Sequence, residues 1–164
     1  MFSVEAFIHS YATESDICIR LASKLPAGGL DYRPTAGQRT TIELLRYLSK
    51  GPYNGVRRIV AGDWTLGKPA VELSKDMPPS DFAAQMRWQR DEVARIVRAA
   101  DSVDLERGTL LLPWGETAVK GEALVNLPLK WLVAYRTQLF LYLKSAGASQ
   151  LATPDLWRLT RDPA

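Results

Sequence analysis

The sequence predicts an all-α protein, a four-helix bundle with two long connections. Three observations carry that prediction. Four long segments repeat apolar residues at three- and four-residue steps, the spacing of one helical face. Turn formers cluster between these segments. The 164 residues contain no internal repeat, no low-complexity tract and no second domain boundary. One domain over 1–164 is therefore expected, with its core at about 3–146 and a C-terminal tail at 147–164. A chain of this length can bury about 70% of the surface its unfolded form exposes.

The first helix is expected from Ser3, a good N-cap, to Leu25. Phe7, Ile8, Tyr11, Cys18, Ala22 and Leu25 form its apolar stripe, and Pro26 with Gly28-Gly29 stops it. His9 lies on the other side of the helix from Tyr11, a surface or interface position. Leu30 and Tyr32 in the following connection are expected across the end of the bundle. Thr40 and Glu43 fit a capping box that opens helix two, with Ile42, Leu45, Leu48, Val56 and Ile59 as its core stripe. This helix should run to about Gly62. Pro52 offers no amide to the Leu48 carbonyl, so a kink is expected there.

Residues 63–79 form the first long connection, with Trp64 as its anchor. Ser80 is the expected cap of helix three, which runs to about Ala100. Phe82, Met86, Val93, Ile96, Val97 and Ala100 face inward, and Arg87, Asp91 and Arg95 form a solvated ladder on the outside. In the second long connection, Leu110–Leu112 and Thr117–Val119 suit a small hairpin around Pro113-Trp114-Gly115. Helix four begins between Gly121 and Leu127. Pro128 falls in its first turn if it starts late and kinks it if it starts early. Gly147 is the natural stop, and Leu151, Leu156 and Trp157 can dock a last turn onto the bundle or a partner subunit.

The charge balance is 21 basic to 18 acidic residues, a net of +3 with the signs interspersed. That is not the clustered footprint of a nucleic-acid binder. No apolar run approaches the ~20 residues a membrane span needs, and the opening MFSVEAFIHSY lacks signal-peptide character, so a cytoplasmic location is expected. The lone Cys18 excludes an intrachain disulfide. P-loop, GxGxxG and GxSxG patterns are absent. The single histidine rules out a di-iron bundle signature, most zinc sites and most triads.

Several short motifs occur in order along the chain: Leu25-Pro26 followed by Leu30-Asp31-Tyr32-Arg33-Pro34, then Ile42-Glu43-Leu44-Leu45-Arg46-Tyr47-Leu48, Pro113-Trp114-Gly115 and Tyr135-Arg136-Thr137-Gln138-Leu139. In that order and spacing the chain resembles the DinB/YfiT-like superfamily of four-helix bundles, over roughly residues 3 to 146. The resemblance implies a homodimer, with Trp157 or His9 at the contact. It also implies a divalent metal held by three histidines, one on helix two and two spaced four apart on helix four. Those positions fall here at Tyr47, Trp131 and Tyr135, and Thr137 replaces the glycine of the last motif. An indole N–H only donates, and a neutral phenol with a pKa near 10 is a poor ligand. No metal and no other cofactor is therefore expected.

The three rings either pack to fill the vacated site or line a pocket in which Tyr47, Trp131, Tyr135, Arg136 and Gln138 orient a small molecule. Arg136 has an alternative role, a hydrogen bond to a neighbouring helix. The expected function is metal-free small-molecule binding or protein interaction. The alternative is a thiol-dependent transferase or hydrolase-like enzyme of the same group working through a non-standard site, since the family chemistry depends on the metal.

Overall fold

The computed structural model describes residues 2–157. Helix α1, Val4–Ala22, opens with the Ala6 amide donating to Ser3 Oγ at 3.3 Å and buries Phe7, Ile8, Tyr11, Ile17, Cys18 and Leu21. It ends before the expected Leu25. Lys24 and Leu25 donate to carbonyls only three residues back, a tightening consistent with the approach of Pro26, which disfavours helical backbone at the residue before it. Leu30 and Tyr32 pack against the core. His9 is exposed.

The capping box forms: the Glu43 amide donates to Thr40 Oγ1 at 3.3 Å, and the Thr40 amide to Glu43 Oε2 at 2.7 Å. Helix two is not one kinked helix, however. It is two, α2 at Thr41–Leu48 and α3 at Gly51–Ala61, separated where Lys50 leaves helical geometry at φ −138° and ψ −28°. The break puts Pro52 in the first turn of α3, where its missing amide costs little. The Leu48 carbonyl that Pro52 cannot serve is taken instead by Gln89 Nε2 at 2.9 Å. Gln89 is fully buried and also accepts from Tyr11 Oη at 3.4 Å, so one side-chain amide ties three helices together.

The first long connection contains a short helix, α4, at Ala70–Ser74. Helix α5, Phe82–Ala99, buries Phe82, Met86, Gln89, Val93 and Val97, with Ile96 and Ala100 half-buried. Ser80 does not cap it. A 3-10 turn at Pro79–Asp81 feeds straight into the helix, and the Ser80 hydroxyl turns to the Asp81 carboxylate at 3.2 Å. The expected ladder is also differently paired. Arg95 takes Glu92 at 2.8 Å, while Arg90 bonds Asp91 and reaches across to Asp16 on α1 at 2.8 Å.

Helix α6, Ser102–Arg107, leads into the hairpin of β1, Thr109–Leu111, and β2, Thr117–Val119, antiparallel with Leu110 opposite Ala118. Helix α7, Lys120–Leu124, runs through a widened π turn at Val125–Leu129 into α8, Lys130–Ser145. The early start is therefore the one adopted, and the wide turn accommodates Pro128 inside the helix. Gly147, at φ +115°, follows the end of α8, where a side chain would be strained. Leu151 is buried and Leu156 packs on the core, whereas Trp157 is 58% exposed. The rest of the expected tail lies outside the described residues.

Helix α1 packs on α5 and α8, α3 on α5 and the π turn, and α2 on α8. The long helical units are thus α1, α2–α3, α5 and α7–α8. Among the described residues no helix is long and apolar enough to cross a membrane.

Candidate functional site

The face of α8 that turns toward α2 and α3 carries Trp131 and Tyr135, one turn apart. Tyr135 meets Tyr47 edge-on, with ring centroids 4.9 Å apart at 62°. Trp131 meets Trp64 instead, at 6.4 Å and 83°, and Trp64 continues to Trp114 on the hairpin at 6.1 Å. The three rings therefore occupy two adjacent layers rather than one point. Two glycines on one face of α3 make room for them. A β-carbon at Gly51 would lie 2.8 Å from the Tyr47 ring, and one at Gly55 would lie 2.8 Å from the Trp131 ring. All three rings remain partly exposed. Trp64 anchors its connection here, as expected.

Arg39 stacks on the tyrosine layer, its guanidinium carbon 4.5 Å from the Tyr47 centroid and 5.9 Å from that of Tyr135. Such stacking favours a cation over the negative ring faces. Burial, reinforced by the neighbouring Tyr135 and opposed by Arg39, pushes the Tyr47 phenol up to about 12. It is neutral at pH 7 and can both donate and accept. Tyr47 also lines a cavity of about 480 Å³ that it shares with Arg39, Arg46 and Val71.

Arg136 faces elsewhere. It is 5% exposed, and its Nη1 donates to Glu14 Oε2 on α1 at 2.6 Å. One residue on from Tyr135 is about 100° around the helix, which turns the side chain to α1. Burial raises the Glu14 carboxyl despite the lowering by Arg136. Nearby, burial pushes the Cys18 thiol up to about 12, leaving a structural rather than reactive group. Gln138 donates to Tyr142 Oη at 2.6 Å, and Tyr142 meets Tyr32 edge-on. Trp131 and Tyr135 thus share one face of α8, which Tyr47 of α2 meets at Tyr135, while Arg136 joins the α1 contact and Gln138 bonds Tyr142.

Arg39, Gly51 and Gly55 had not been singled out as site residues. Two glycines four apart within a helical pattern were a readable signal of close approach. Arg39, in an irregular connection, had none.

The donor set does not fit a metal. Two phenols and an indole are a poor donor set, and among the described residues no three histidine, cysteine, aspartate or glutamate side chains group to hold an ion. No chemical step is derived through one.

The protein is an all-α bundle with a partly open aromatic face between α2–α3 and α8. No family model matches the sequence, and no curated protein matches it. The fold does have a counterpart in the crystal structure of a DinB-like protein, YjoA, from Bacillus subtilis. It aligns with a TM-score of 0.67 at 15% identity, covering 87% of this chain and 92% of that one. The chain has the DinB-like fold. Likeness at that identity speaks for architecture and not for activity.

Proposed function

We propose that the protein is a metal-independent binding protein that holds a small organic molecule at the Tyr47–Tyr135 face, with Trp131 flanking it. The observation that carries this reading is the open stacking of Arg39 on Tyr47 and Tyr135 beside the 480 Å³ cavity. Rings that only filled a vacated site would be sealed by the helices around them, and these are partly exposed. Rings, a guanidinium and a neutral hydroxyl are the groups that orient small ligands. A phenol pushed as high as that of Tyr47 is a poor general base at pH 7, so the reading is binding rather than catalysis. The proposal includes a homodimer on the strength of the sequence resemblance, and light scattering that finds only monomer at high concentration removes that part.

The test is a thermal-shift screen of polar and aromatic metabolites on chelator-treated protein. Compounds that raise the melting temperature of the wild type should lose most of that effect with Tyr47→Ala or Trp131→Ala. If no compound binds saturably, or if every hit is indifferent to both substitutions, the binding reading is wrong.

A further inference from the structure

We infer that the ligand of this site carries an anionic group, a phosphate or a carboxylate, seated in the cavity that Tyr47 shares with Arg33, Arg39, Arg46 and Lys75. The inference rests on the binding reading above and specifies its chemistry. Four cationic side chains line this cavity, and the carboxylate among its lining residues is Glu43. Glu43 is hydrogen-bonded to Thr40, accepting from its amide at 2.7 Å and its hydroxyl at 3.1 Å, and its charge also interacts with Arg33 and Arg39 without a close ion pair. Among the described residues none of the four cations makes an ion pair with a carboxylate. By contrast, Arg90, Arg98, Lys120 and Arg136 each pair with a carboxylate on another helix, Asp16, Glu5, Asp104 and Glu14 in turn. Gathering four like charges around a single carboxylate costs free energy that a bound anion would offset.

The cations are also placed to bind rather than merely to repel one another. Arg39 lies over two rings, which leaves the N–H edges of its guanidinium for in-plane donation to a carboxylate or phosphate. Arg46 is held by its Nε, which donates to the Met77 carbonyl at 3.0 Å, so its terminal nitrogens are positioned without being consumed by that bond. The Tyr47 hydroxyl is hydrogen-bonded to Tyr135, so Tyr47 serves the cavity as an aromatic wall. Val71, 59% exposed, gives the rim an apolar edge for the body of the ligand. A cavity of about 480 Å³ suits a metabolite-sized molecule.

The experiment is isothermal titration calorimetry of the full chain with phenyl phosphate, benzoate, phenol and inorganic phosphate. Phenyl phosphate or benzoate should bind at least about tenfold more tightly than phenol, and the stronger of the two identifies which anion is preferred. Binding should weaken between about 50 and 500 mM salt. Arg39→Gln should reduce it about tenfold. Lys75→Gln, at an exposed side chain, should reduce it by a smaller factor with the melting temperature unchanged. Phenol binding as tightly as phenyl phosphate, or salt-independent binding, overturns the anion and leaves the binding reading in place. If all four probes fail while neutral compounds bind in a Tyr47-dependent way, the anion is likewise overturned. If neither these probes nor the wider screen yields a ligand, both readings fall.

Discussion

Tyr135 and Arg136 are neighbours on α8 and meet opposite surroundings. Arg136 turns to α1, where its cation is buried against the Glu14 carboxylate. Tyr135 turns to α2, where its ring is partly exposed and a guanidinium stacks on the tyrosine layer with no carboxylate in a close ion pair to it among the described residues. On the first face the polar group has its partner inside the fold, and its effect is on stability. On the second, four cations surround one carboxylate, Glu43, and the proposed anion would add a further partner.

The comparison breaks most sharply at Arg136. Arg136→Met strands a buried Glu14 and should cost about 3–5 kcal/mol, measured by urea denaturation. The double variant Glu14→Met/Arg136→Met should recover most of that loss. A single variant within about 1 kcal/mol of wild type would mean the α1 face is no more committed to stability than the α2 face.

Gln89→Leu leaves the Leu48 carbonyl and the Tyr11 hydroxyl unserved at the break between α2 and α3, and should cost about 1–3 kcal/mol. Gly55→Ala should cost about 1–3 kcal/mol by pressing a β-carbon into the Trp131 ring. The same change in a Trp131→Ala background should cost little, because the ring is gone. Equal costs in both backgrounds would show that Gly55 does not seat Trp131.

The smallest effect belongs to the cap of α2. Thr40→Ala should cost about 1 kcal/mol at pH 7. The Thr40 amide and hydroxyl hold the Glu43 carboxyl below its ordinary 4.5. A carboxyl lowered in the folded state stabilises it above the unfolded value and loses that contribution as pH falls through the folded value. The gap between wild type and Thr40→Ala should therefore be full at neutral pH and shrink below about 4.5, read from thermal melts across that range.

Much of the fold was legible because its signals are local. Ser3 caps the Ala6 amide and Thr40 exchanges bonds with Glu43, contacts three residues long that a sequence displays directly. Pro52 announced a defect, but its resolution depends on Gln89, 41 residues away. No periodicity encodes that contact, because Gln89 is a polar residue between the apolar positions Met86 and Val93. The aromatic replacements were legible as identities, and Tyr47 with Tyr135 do meet. Their cationic neighbours come from irregular connections and from α2, brought together only by the tertiary fold. Arg136 shared a motif with Tyr135 and lies on another face, since adjacent helical residues diverge by about 100°.

We propose an organic binding face at Tyr47, Trp131 and Tyr135 that works without a metal. Elemental analysis of protein purified without chelator, before and after dialysis against zinc, nickel and manganese, tests it most directly. The account expects well under one ion per chain in every case. One tightly held ion per chain, lost with Tyr47→Phe or Tyr135→Phe, would contradict it.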